Sequence, residues 1–426
     1  MLSPSRMLKL LALRSFGVLA AMLAMSGVGL AQTTWYIDAS AAPPGNGTAQ
    51  SPYASIQYAI EQPSTVAGNL LLAAPGVYVE TVRISKAVTL RSSAGPLATI
   101  LRAAASGDVV TLESAPKPTL EGFSIVGLAG VGTNGVRLLG GQVKHCIVRD
   151  HDMSSSGDFG WGIDASINSL GLVTQCSILD NLGGVLGPGY FGVCTVDSSI
   201  VCGNTGLDLV LADPVFTLWN TGQGVSHGNG NLGGDPLFWD PPAHDFHPGP
   251  ASPCIDAGSP WIPPDPDGSR ADMGAVPFDA LYLPPIATYC TGKVNSEGCA
   301  ASIGASGGAA ASMTASTPFQ VTCSGVVEGA IGLLYWGHEP RAVPFLGGFH
   351  CVEPPTPRTP AQHAGSTGAP CSGSYSFDFN AYAQSGAVPA LAAGQMIRAQ
   401  YWYRDPADPT GYFAATSNAI AFPLGP

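Results

Sequence analysis

Short β-prone runs, each closed by Gly, Asn, Asp or Ser, recur along residues 35 to 250 with almost no helical periodicity, and their spacing constrains the fold more than any other feature. Leu90 in Val88-Thr89-Leu90 and Leu112 in Val110-Thr111-Leu112 lie 22 residues apart. Ile125 and Val148 are 23 apart, Val148 and Ile178 are 30 apart, and Ile178 and Ile200 are 22 apart. A period drifting between 22 and 30 residues marks a solenoid. One coil of three short strands and three turns uses about that many residues and stacks on the next at about 4.8 Å. The spacing therefore predicts an all-β, right-handed parallel β-helix with inward Ile, Val and Leu stacked as ladders and Cys146 above Cys176. Asp150-His151, Asp180-Asn181 and Gly203-Asn204 close the same strand in successive coils, where these residue types accept turn conformations readily. A leucine-rich repeat has a similar spacing, but its consensus is missing.

A solenoid must cover its open ends against edge-to-edge pairing. Ile56-Gln57-Tyr58-Ala59-Ile60-Glu61 is the one amphipathic helical stretch, just before the strand run Leu70-Leu71-Leu72-Ala73, and is expected to cap the N-terminal end. The turn-rich segment 235–279 lacks the rung pattern and is expected to close the far end. Past Leu283-Pro284-Pro285 the texture changes. Runs 319–323, 331–336, 349–352, 375–382, 396–403 and 418–422 alternate like antiparallel strands and predict a β-sandwich. The Ala-, Gly- and Ser-rich stretch 302–316 reads as a mobile lead-in. The expected division is a signal peptide over 1–31, a capped β-helix over 32–282, and an accessory sandwich over 283–426.

Arg6, Lys9 and Arg14 precede a 15-residue apolar run, Phe16 to Leu30, ending in Gly29-Leu30-Ala31. That pattern predicts a Sec-type signal peptide, and the run is shorter than the roughly 18 residues of a spanning helix. The exported chain is expected outside the cell or at its surface, as a monomer without a transmembrane segment. Its 55 Gly and 37 Pro accompany a 45% apolar content, which favours turn-dense β structure over disorder. A net charge of −12 with five lysines argues against nucleic acid and anionic membranes as partners. Ten cysteines in an exported chain predict disulfides. The pairs close in sequence, Cys290 with Cys299 and Cys351 with Cys371, are expected to staple loops of the C-terminal domain. Cys323 is then left over, with one of Cys146, Cys176, Cys194, Cys202 and Cys254. Zinc is disfavoured because no CxxC occurs.

Two stretches carry a family resemblance. Tyr36-Ile37-Asp38-Ala39, then Gly47-Thr48-Ala49-Gln50-Ser51-Pro52-Tyr53-Ala54-Ser55-Ile56-Gln57-Tyr58-Ala59-Ile60, then Ala74-Pro75-Gly76-Val77-Tyr78-Val79-Glu80 resemble the opening of pectin-lyase-like right-handed β-helix proteins. Ser252-Pro253-Cys254-Ile255-Asp256-Ala257-Gly258 and Asp265-Pro266-Asp267-Gly268-Ser269-Arg270-Ala271-Asp272-Met273-Gly274-Ala275 are similar to the ending of secreted bacterial β-helix proteins. What the resemblance implies is the fold; activity does not follow from fold.

Polysaccharide lyases of this fold use an Arg or Lys base beside carboxylates that hold Ca²⁺. The corresponding candidates are Lys144, Arg149, Asp150 and Asp180, the two aspartates matching in successive coils; turn residues facing water are the plain alternative. Methylesterase and polygalacturonase motifs are missing, with Asp158-Phe159-Gly160-Trp161-Gly162 a poor approach to the former. Asp265, Asp267 and Asp272 crowd one loop and could take Ca²⁺, or Arg270 could pair with one of them. His227, His244 and His247 lie near the same cap and are read as loop histidines. Trp336, Tyr401 and Tyr403 are candidates for stacking on sugar, Tyr401 and Tyr403 sharing one strand face with Trp402 on the other. The functional expectation is an exported protein binding extracellular or envelope polysaccharide. The alternatives are a polysaccharide lyase or hydrolase, and a structural surface protein without a glycan ligand.

Overall fold

A strand of three residues such as Ile147–Arg149 cannot hold a sheet with its chain neighbours, and its partners come from one coil above and one below. The computed structural model describes residues 32–426 apart from 114–116, 153–159, 168–169, 190–191, 226–227, 366 and 389–390. The expected signal peptide, His227 and Asp158-Phe159 fall outside the described residues. Within them the chain winds through three parallel sheets of 8, 7 and 7 strands. In one coil it passes from Gly141–Lys144 in the first sheet to Ile147–Arg149 in the third, then Trp161–Asp164 in the second, and returns at Leu170–Thr174. This is a parallel β-helix, with an antiparallel sandwich after it.

Register confirms some of the sequence spacings and corrects others. Ile125, Val148 and Ile178 are partners in the third sheet. Ile178 pairs with Val201 rather than Ile200, and Leu90 pairs with Leu120, while Leu112 belongs to the second sheet beside Ile84 and Leu138. The coil length varies at the turns, so a fixed offset selects the wrong strand of a coil when every strand offers a Val or Leu. Leu101, Ile125, Val148, Ile178 and Val201 form one buried ladder in the core. Beside it runs a polar ladder. His151 and Asn181 take the same turn position; His151 N–H donates to Asn181 Oδ1 at 3.1 Å, Asn181 N–H to Asn204 Oδ1 at 3.1 Å, and Asn204 Nδ2 to Asp208 Oδ1 at 2.9 Å. Inward polar side chains are tolerated because each satisfies the turn of the next coil.

The helix Ile56–Glu61 covers the N-terminal end as expected, burying Ile56, Ala59 and Ile60. Glu80, from the Pro-Gly-Val-Tyr-Val-Glu motif, accepts from Ile56 N–H, Gln57 N–H and Ser55 Oγ, so that motif is a cap fastener. The segment 235–279 lies along the outer face of the third sheet instead of across the far end. Phe246, Cys254, Met273 and Ala275 bury Ile147, Leu179, Ile200 and Cys202, which explains why these outward positions are apolar.

In the C-terminal domain a six-stranded sheet built on Ile331–Gly337, Gln395–Arg404 and Ala414–Gly425 faces a three-stranded sheet of Ser302–Ser306, Gln320–Val326 and Gly373–Asp378. The stretch 302–316 is thus not a free lead-in: it supplies Ser302–Ser306 and the edge strand Ala311–Ser312. The run expected over 375–382 changes to a short helix, Phe379–Gln384, after Asp378 caps it. The disulfides are Cys290–Cys351 and Cys299–Cys371, because chain proximity in a sandwich follows strand pairing and not sequence. The other six cysteines are buried thiols, and none of the solenoid cysteines is bridged. Trp336, Tyr401 and Tyr403 lie in the sandwich core at 1%, 0% and 0% exposure, so the proposed sugar platform is overturned. The alternation was read correctly, but the paired tyrosines take the inner face.

Candidate functional site

In three successive coils the turn from the third sheet to the second is made through a left-handed residue, Asp150 at φ 61, Asp180 at φ 54 and Gly203 at φ 70. Because their neighbours His151, Asn181 and Asn204 point inward, these three positions point out, on top of one another. The structure brings Arg149, Asp150 and Asp180 together. Arg149 pairs with Asp150 and lies 3.4 Å from His244 Nε2. Asp180 stands exposed at the mouth of a cleft; partial desolvation against the wall and then the Asp150 charge raise its carboxyl above the ordinary range, while His244 and Arg149 oppose the rise.

The cleft, about 350 Å³, opens where the hairpin Phe238–Asp240 and Asp245–Pro248 leans on the third sheet. Asp180, Asn220 and Asp235 supply polar groups, and Leu179, Pro241 and the Phe238–Phe246 pair, 5.6 Å apart edge to face, supply an apolar wall. Gly203 makes the space. Its position is where the two coils above carry aspartate, and a Cβ there would sit 3.4 Å from Asp180 Oδ1. His244 reads from the sequence only as a loop histidine, and Asp235 and both phenylalanines are not singled out there, because all four arrive from the wrap with no spacing that links them to Asp180.

Lys144 is separated from this group. It ends its first-sheet strand on the opposite side of Ile147–Arg149 from Asp150, and lines a second cleft of about 270 Å³ with His145, Gln175, Asp265 and Asp272. The loop carboxylates there are engaged by backbone. Asp272 accepts from the N–H groups of Asp256 and Phe278, Asp265 from Asp272 N–H, and Asp267 from Ser269. Burial, followed by the neighbouring Asp272, Asp267 and Asp256, pushes the Asp265 carboxyl up to about 6 against the pull of the Asp272 N–H. Arg270 does not pair with them; it donates to Gly258 O and Ala257 O and lies 5.3 Å from the Phe216 ring. Among the described residues no three His, Cys, Asp or Glu side chains are grouped to hold a metal. The second family-like motif is thereby a knot that fastens the wrap: Gly274 N–H donates to Ser198 O and Ala275 N–H to Ser177 Oγ.

No protein-family model matches the chain. A cell surface glycoprotein of Methanothermus fervidus is 28% identical over 144 residues, a stretch that is 34% of this chain and 21% of that protein. The chain thus matches about a fifth of that relative's length. Pectate lyase Pel9A aligns over 58% of this chain and 97% of its own, at 12% identity and a TM-score of 0.30. No helix among the described residues is long and apolar enough to cross a membrane.

Proposed function

We propose that this chain is an extracellular β-helix protein that binds polysaccharide along the flank of its solenoid, in the cleft between Asp180 and the hairpin of the wrap. Two disulfides and the partial likeness to a cell surface glycoprotein support an extracellular setting. The cleft itself carries the proposal: carboxylates and an amide face an aromatic wall across a space kept open by a glycine turn. Carboxylates accept from pairs of sugar hydroxyls, and a phenylalanine wall takes the apolar face of a ring. On a chain of net charge −12 this acidic lining favours a neutral polymer over a polyanion.

Gly203→Asp is the sharpest variant, since aspartate already occupies the same turn in the two coils above. It is expected to fold and to fill the cleft, lowering retention on immobilised neutral polysaccharide by about tenfold or more. Retention equal to the parent protein would remove the cleft from consideration. Reducing ends measured in the same incubations decide a second reading, favoured by the raised Asp180 carboxyl beside Asp150: product that disappears with Asp180→Asn would make the cleft hydrolytic.

A further inference from the structure

We propose that the outer face of the C-terminal sandwich carries a separate binding groove for an acidic sugar, stacked on Trp402 and ion-paired through Arg358. With Tyr401 and Tyr403 committed to the core, Trp402 is left on the opposite face of the strand, beside Leu333 of the neighbouring strand. The hairpin Pro340–Phe345 and Gly348–Val352 stands over that face and is tethered through Cys351 to Cys290. Between sheet and hairpin lies a groove of about 320 Å³ lined by Trp402, Tyr335, Phe345, His350, Leu333 and Arg358. Its rings are preorganised: Tyr335 and His350 stack with centroids 5.0 Å apart and 12° between planes, and Phe345 meets His350 edge-on at 5.3 Å. Tyr335 is held in turn by a hydrogen bond from its hydroxyl to Gln400 Oε1.

Charge selects the occupant. The nearby Arg341 is neutralised by Glu353 at 3.5 Å, whereas Arg358 makes no ion pair among the described residues. His350 is kept neutral, its pKa lowered by burial and then by the Arg341 charge, against smaller opposing effects of the Val352 backbone and Glu353. A single unpaired guanidinium therefore overlooks an aromatic trough on an otherwise acidic protein. A pyranose with a carboxylate meets both features, its C–H face on the rings and its carboxylate on the planar guanidinium fork. A neutral sugar leaves the arginine unused, and an apolar peptide leaves it desolvated without a partner. The volume is at the lower end for ligand pockets and suits one or two rings, not a length of polymer. The groove stands whether or not the flank cleft binds sugar.

The test uses the whole protein and two probes, a uronic acid trisaccharide and the same trisaccharide with its carboxyls reduced, followed by tryptophan quenching and calorimetry. The uronate is expected to bind about tenfold more tightly than the reduced form. Arg358→Gln should abolish that preference while leaving the reduced probe unchanged, and Trp402→Ala should weaken both. Phe345→Ala, on the exposed rim of the hairpin, repeats the stacking test where Trp402→Ala fails to fold. Asp180→Asn should bind the uronate as the parent does; loss there would assign the binding to the flank cleft and overturn the groove. Equal affinity for the two probes, no binding, or a Trp402-dependent self-association that excludes both probes would also overturn it.

Discussion

At the scale of single residues, the turn that places Asp150 and Asp180 outside places His151 inside, and the two sides of that turn have opposite consequences for pH. His151 is buried, with Nδ1 3.0 Å from Thr133 Oγ1 and Nε2 3.3 Å from Ile125 O. Burial lowers its pKa to about 4, helped by the Arg149 charge and resisted by the Ile125 carbonyl. The unfolded chain takes a proton near pH 6.5 that the folded chain refuses, so this term of stability is lost as pH falls from about 6.5 toward 4, by up to about 3 kcal/mol. Asp265 works the other way: its raised carboxyl gives stability present below about 4 and lost as pH rises through about 6. His151→Asn restores the residue type that the next two coils carry in the polar ladder. Urea titrations from pH 4 to 7 should show that the variant lacks the acid-side loss seen in the parent; an identical slope for both would mean that His151 charges in place. The equivalence of Asp150-His151, Asp180-Asn181 and Gly203-Asn204 was legible because turn chemistry repeats along the chain, whereas the inward course of the second member of each pair was not. Tyr401 and Tyr403 were misassigned because alternation tells which residues share a face, but not which face meets the second sheet.

The elements show why local pattern was enough for the solenoid and insufficient for what lies on it. Each strand of the third sheet reads as a short apolar run, and the wrap that covers its outer face is written a hundred residues later in Gly- and Pro-rich sequence with no period to recognise. Two glycines of that wrap separate backbone strain from packing. Gly268 has φ +86 and open space around a would-be Cβ, whereas Gly274 has φ +106 and a Cβ there would meet Ile200 Cδ1 at 2.8 Å. Gly268→Ala should cost only the left-handed penalty of about 1 kcal/mol, and Gly274→Ala that penalty plus a displaced wrap, about 2–4 kcal/mol in total. Thermal denaturation of the two variants side by side checks this. Equal losses would mean that the wrap is not seated on Ile200, and with it the hairpin wall of the flank cleft would lose its fixed position. The disulfides belong to the same lesson. Cys290 finds Cys351 across 61 residues because strand pairing brings them together, while Cys299, its neighbour in sequence, pairs with Cys371.

Across the whole molecule, solenoid and sandwich meet through an apolar cluster of Trp239, Met396 and Ala421, with Tyr282 and Tyr289 packed against it. Inside this contact Arg398 of the sandwich pairs with Asp240 of the wrap, their side chains 4% and 8% exposed, and Arg398 also donates to His338 O. Asp240 has a second task, accepting from Ala243 N–H at 3.3 Å to cap the turn Pro241–Ala243. The hairpin that forms the wall of the flank cleft is therefore clamped from behind by the sandwich. A buried pair of this kind is a weak source of net stability, but removing one partner leaves the other charged in a dry site at a cost of about 3–5 kcal/mol. Asp240→Ala is thus expected to divide a shared calorimetric unfolding transition into two, with the sandwich melting first, because the stranded Arg398 lies within it. The same variant should weaken sugar retention at the flank cleft, because the hairpin wall loses its clamp. Asp240→Ala combined with Arg398→Met removes the stranded charge and should recover part of the lost stability without restoring the capped turn. A single transition at the parent temperature in Asp240→Ala would show that the two bodies are joined by the apolar cluster alone, and that the ion pair serves only to exclude water from its edge.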